Sequence, residues 1–104
     1  MTELLTHYLY PRQGALALDV VAIVSSDHGG TLRVSVEETA TTLDLTATGG
    51  ANEVIRGTTA DIDRGDELTT VTLSLSVDTG AGGTYLILHS LAIADADLDA
   101  GDLL

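Results

Sequence analysis

The segment Thr70-Val71-Thr72-Leu73-Ser74-Leu75-Ser76-Val77 alternates polar and apolar side chains without a break. Side chains of an extended strand point alternately to opposite faces, whereas those of a helix return to one face roughly every 3.6 residues. Strict alternation therefore marks a half-buried strand, here with Val71, Leu73, Leu75 and Val77 turned to a core. Thr31-Leu32-Arg33-Val34-Ser35-Val36-Glu37 repeats the pattern and groups Leu32, Val34 and Val36. Thr42-Leu43-Asp44-Leu45-Thr46-Ala47-Thr48 repeats it again with Leu43, Leu45 and Ala47 inward. The wet faces are rich in Thr, whose branched side chain suits a pleated surface.

Two further segments, residues 15–24 and 84–94, are apolar on both faces. In the second, alternation places Tyr85, Ile87, Leu91 and Ile93 on one side and Leu86, Leu88, Ala92 and Ala94 on the other. A strand apolar on both sides is central, covered twice, or part of an interface. Few helices are available to cover a second face, so a second copy or a neighbouring protein is the expected cover.

Glycine-rich turns separate these segments. Ser25-Ser26-Asp27-His28-Gly29-Gly30 joins the first pair, and Gly49-Gly50-Ala51-Asn52 follows the third strand. Gly80-Ala81-Gly82-Gly83 reads as the turn of a last hairpin, since glycine supplies the positive φ such turns need. A short strand is expected at residues 53–57, then a polar loop over residues 58–68 with room for a brief strand. The one weak helical pattern covers residues 2–10. Many short strands at regular spacing predict an all-β fold, an antiparallel β-sandwich or jelly roll of about six to eight strands. One domain is expected: an N-terminal arm over 1–13, the sandwich over 14–94 and an acidic tail over 95–104.

Charge limits the partners of such a domain. Sixteen Asp and Glu face four arginines and no lysine, for a formal net charge of -12 on 104 residues. A compact body with that charge repels itself, and the repulsion fades as salt shortens the Debye length from about 10 Å at 0.1 M to about 3 Å at 1 M. Nucleic acid and anionic membranes both call for basic patches, which Arg12, Arg33, Arg56 and Arg64 do not make, so neither is an expected partner. No apolar run reaches the length of a membrane span. The first residues lack the basic start and apolar stretch of a secretory signal, so synthesis in the cytosol is expected. There is no cysteine, hence no disulfide and no thiolate metal site.

Candidate chemical sites are sparse. Asp95, Asp97 and Asp99 alternate like the start of a calcium loop, but Ala100 stands where that loop turns on glycine, and no closing Glu follows. Asp61-Ile62-Asp63-Arg64-Gly65-Asp66-Glu67 gathers four carboxylates around one arginine; a cation among them is one reading, and neutralisation of its neighbours by Arg64 is the expected one. The Arg64-Gly65-Asp66 tripeptide also spells a cell-adhesion motif, though three residues recur by chance. His89 and Ser90 are adjacent, but adjacent strand residues face opposite ways, which is poor geometry for nucleophilic catalysis. His28 falls in a glycine turn and is expected at the surface. No phosphate loop, dinucleotide fingerprint or zinc spacing is present. The chain is therefore expected to be non-enzymatic, with no cofactor.

Tyrosine offers a stiff contact surface with a polar tip and is enriched at interfaces. Tyr8 and Tyr10 fall on the same side of an extended segment. The expected interface set is Tyr8, Tyr10, Tyr85, Ile87, His89 and Leu91.

The lysine-free, Asp- and Thr-rich surface is similar to that of proteins from halophilic archaea and their viruses. The small, glycine-turned, all-β chain resembles minor structural proteins of tailed-virus particles: capsid decoration proteins, spike or head subunits and tail fibre modules. That resemblance implies a homo-oligomer, a trimer or pentamer, bound to other virion proteins in a particle assembled in the host cytoplasm. It rests on composition and architecture, so it transfers no functional residue. A carbohydrate- or receptor-binding sandwich at a cell or virion surface is the alternative, and it requires two tyrosines exposed in one groove.

Overall fold

The alternating segments are strands in the computed structural model, which describes residues 2–9, 15–63 and 68–95. In chain order they are β1 (Thr2–Leu9), β2 (Ala15–Leu16), β3 (Leu18–Ser26), β4 (Gly30–Val36), β5 (Thr41–Ala47), β6 (Gly50–Thr58), β7 (Ile62–Asp63), β8 (Thr69–Val77) and β9 (Leu86–Asp95). Short 3₁₀ turns occupy Glu37–Thr39 and Thr79–Ala81, and there is no α-helix among the described residues. Tyr10, Pro11, Arg12, residues 64–67 with the Arg-Gly-Asp tripeptide, and residues 96–104 with Asp97 and Asp99 lie outside the described residues.

Two antiparallel layers face each other. One has four strands in the order β1-β8-β4-β5, the other three in the order β6-β3-β9. A small ladder pairs β2 with β7. The pairing is nested: β4 with β5 lies inside β3 with β6, and β8 and β9 then wrap round to pair with β4 and β3. Among the described residues this is the order of a jelly roll with one strand fewer, and the deficit falls in the thinner layer.

The core forms where the inward faces meet. Leu18, Val20, Ala22 and Val24 of β3 pack with Leu32, Val34 and Val36 of β4 and with Val71 and Leu73 of β8, each at 1% exposure or less. Burying a side chain of this size contributes about 1.5–3 kcal/mol. The outward residues of β3, Asp19, Val21, Ile23 and Ser25, are half-buried. Gly29 carries the chain from one layer to the other at φ +90°, and a Cβ there would run into the carbonyl oxygen of Ala47.

Three expectations need correction. Residues 2–9 are a strand rather than a helix, paired along β8 from Thr2↔Leu75 to Leu9↔Thr69 with an irregularity at Leu4. The segment read as an arm is thus the outer strand of the larger layer. The glycine turn at residues 80–83 does not close a hairpin, because β8 and β9 belong to different layers. In β9, finally, the register with β3 slips at His89, with Ile23 opposite Ser90 but Val24 opposite Leu88. The extra residue is a β-bulge, and it shifts the alternation by one. Leu86, Leu88, Leu91 and Ile93 therefore all face the core, while Ile87, Ala92 and Ala94 face outward.

Candidate functional site

The unequal layers create the main surface feature. The order β1-β8-β4-β5 lies against β9-β3-β6: β5 adjoins β6, β8 approaches β9, and β1 overhangs with no strand opposite among the described residues. Residues directly opposite in an antiparallel pair point the same way. Leu5 and His7 lie opposite the buried Leu73 and Val71, so they point inward, into space a strand would fill. The result is a groove of about 500 Å³ between the two outer strands, lined by Leu5 and His7 of β1 and by Leu91, Ala92 and Ile93 of β9. Leu5 remains 39% exposed there, although its neighbour Leu73 is fully buried.

The expected interface residues separate in this geometry. Tyr8 faces outward beside Thr70 and is 58% exposed. Tyr85 precedes β9 and is exposed, as is Ile87 on its outer face. Leu91 turns inward, packs on the core and lines the groove. His89 is exposed at the bulge, and its Nε2 lies 2.6 Å from the Ser25 hydroxyl, which also accepts the amide of Asn52 at 2.9 Å. Strand alternation could not reveal this serine–histidine contact, because the partners are brought together across the β3–β9 ladder. The contact ties the bulge of β9 to the neighbouring strand β3.

The acidic residues do something the sequence did not disclose. Several accept hydrogen bonds from backbone amides and threonine hydroxyls rather than clustering in a pocket. Asp27, in the β3–β4 turn, takes the Thr84 amide and hydroxyl, the Tyr85 amide and the His28 amide. It thereby ties that turn to the chain entering β9. Glu53 takes the amides of Thr48 and Gly49 and the Thr48 hydroxyl, closing the β5–β6 turn. Glu38 takes the Thr70 amide at 2.6 Å, and Glu37 the Thr72 hydroxyl at 2.9 Å. Asp19 takes the Thr58 hydroxyl, and Asp44 makes a two-pronged pair with Arg33. Among the described residues no group of three or more His, Asp or Glu is placed to hold a metal ion.

These donors hold the carboxyls in their charged form. The Thr84 hydroxyl pushes Asp27 far below the ordinary aspartate range; burial opposes it, and the amides of Thr84 and Tyr85 add to the lowering. The Thr70 amide lowers Glu38, the Arg33 guanidinium lowers Asp44, and the Thr48 amide lowers Glu53.

The chain matches no family model, no curated protein and no solved structure.

A lowered pKa has a definite sign. The folded state gives up its proton more readily than the unfolded state, so the Asp27 latch is intact above the ordinary value of 3.8 and weakens as pH falls below it. Acid also changes the chain's net charge, which passes through zero near pH 4.1 and turns positive below it. Comparison with Asp27→Asn removes that shared effect. Thermal melts taken from neutral pH downward are expected to show the unmodified chain losing stability faster than Asp27→Asn below the ordinary aspartate value. Parallel curves would show that the latch contributes nothing.

Proposed function

We propose that the chain is a non-catalytic structural subunit, a symmetric homo-oligomer fixed on a larger particle that functions in concentrated salt. In its most concrete form it is a capsid decoration, spike or tail component of a haloarchaeal virus, assembled in the host cytoplasm. The observation that carries this reading is the open groove between β1 and β9, lined by Leu5, Leu91, Ala92 and Ile93, with Leu5 left 39% exposed. An isolated domain gains nothing from leaving such a strip wet, whereas an assembly component gains an attachment surface. The charge supports the second half of the reading. A net charge of -12 is a burden in dilute buffer and is screened in brine. The threonine and carboxylate faces then keep a large particle hydrated.

The carbohydrate-binding alternative needs paired aromatics in one depression. Tyr8 lies on the outer face of the four-stranded layer, Tyr85 enters the three-stranded one, and none of the three described grooves is lined by a tyrosine. Nothing in that arrangement favours it.

Sedimentation of a native-source lysate in molar salt tests the proposal. The chain is expected to travel with large particles and to be released when salt is lowered. Recovery of the entire pool as a free small species would refute it.

A further inference from the structure

Among the described residues β9 is an edge strand with a groove beside it, and the opposite layer carries one strand more, β1, overhanging that groove. Those two facts are complementary. We propose that two copies of the chain dovetail, β1 of each serving as the missing strand of the other. This deepens the assembly reading above by naming the partner at the groove: a second copy related by a two-fold axis, rather than a neighbour in the trimer or pentamer that the resemblance implies.

Strand directions decide how the copies meet. β1 runs opposite to β8, β8 opposite to β4, and β9 opposite to β3. A tight turn reverses the chain between β3 and β4, so β1 and β9 run the same way. A two-fold axis perpendicular to the sheets would pair the β9 edges antiparallel, but it would drive the overhanging β1 of each copy into β8 of the other. A two-fold axis parallel to the strands, passing through the groove, avoids this. It sets β1 of the second copy into the slot beside β9, and this β1 beside the second copy's β9. Each four-stranded layer then continues into the other copy's three-stranded layer, and both layers reach seven strands. The two new junctions are parallel pairs, each covered on its inner face by the opposite layer.

Side-chain chemistry agrees. Leu5 and His7 meet the same residues of the second copy across the axis and leave water. Like-charged copies must approach through a neutral side, and this one qualifies. β9 has no acidic residue from Leu86 to Ala94, and β1 has one acid, Glu3, in a chain with sixteen. The pairing also uses both outer strands of this side, whose unpaired backbone groups would otherwise be open to unwanted association.

The absence of cysteine makes a clean test possible. Leu5→Cys is placed to face its counterpart across the two-fold, at the sheet-to-sheet distance of about 10 Å. That is too far for a disulfide and within reach of a short bis-maleimide. In molar salt the unmodified chain is expected to weigh twice its 10.7 kDa. Leu5→Cys should cross-link to a dimer, and Val54→Cys, 62% exposed on the opposite edge strand β6, should not. Leu5→Asp should halve the mass while circular dichroism shows the strands retained. A monomeric unmodified chain, or a dimer that gives no Leu5→Cys cross-link, overturns the dovetail. Sedimentation with particles would be unaffected by either result, so the pairing and the wider structural role fail separately.

Discussion

Withdrawing salt is expected to unfold this protein. Its formal net charge of -12 sits on a body with a radius of gyration of 14.6 Å. Treating folded and unfolded chains as charged spheres with Debye screening, raising salt from about 0.01 M to about 1 M favours the folded chain by roughly 5 kcal/mol. Domains of ordinary stability have only about 5–15 kcal/mol in total. Thermal or urea unfolding across a series in potassium chloride should therefore show the midpoint rising steeply and then levelling off. Chloride is the right anion, because sulfate would strengthen apolar burial by a separate route. A midpoint indifferent to chloride would remove the basis for linking the acidic surface to brine.

Leu73→Ala is expected to be the most damaging single truncation among conservative core changes. Leu73 is fully buried on β8, between Val34 of β4 and Leu5 of β1, and it faces the other layer. Removing its branched end leaves a cavity that two ladders of hydrogen bonds prevent from collapsing. Leu→Ala changes at such sites cost about 2–5 kcal/mol. On a protein of this size that is enough to lower the melting temperature by tens of degrees or prevent recovery of folded material. Val54→Ala is the matched control, since an exposed side chain should change stability by about 0.5 kcal/mol or less. Equal losses at the two positions would mean that the packing of β8 against β3 and β4 is not what holds the layers together.

The strands that carry this core were legible because their alternation is uninterrupted. The residues of β4, β5 and β8 that point inward are those the period-two pattern selects. Legibility ended wherever one residue broke the period or a decision was made at a distance. His89 is such a residue: the bulge it makes moves Leu91 and Ile93 onto the same side as Leu86 and Leu88, and no local signal distinguishes it from a regular strand residue. β1 was obscured for a related reason. Leu4, Leu5, Tyr8 and Leu9 recur at spacings that suit a helical stripe, and only pairing with β8 selects the extended form. The glycines at 80–83 announce a turn but cannot say which layer the next strand joins. The groove follows from these long-range choices, since it exists because one layer received four strands and the other three. Ser25 and His89, or Asp27 and Thr84, are likewise neighbours only after folding.

The carboxylate latches have a consequence for how the chain tolerates its surroundings. Concentrated electrolyte dissolves attractions between distant opposite charges, and a molecule stitched by lysine–carboxylate bridges forfeits its stitching there. This one has little of that kind to forfeit. Among the described residues its arginine–carboxylate bridge is Arg33 with Asp44, at 2.8 Å. Its turns are sewn instead by acids gripping amide and hydroxyl hydrogens at contact range, where no ion can slip between. Lysine is dispensable in such a design, and the same aspartates and glutamates that make the exterior anionic also serve as its fastenings.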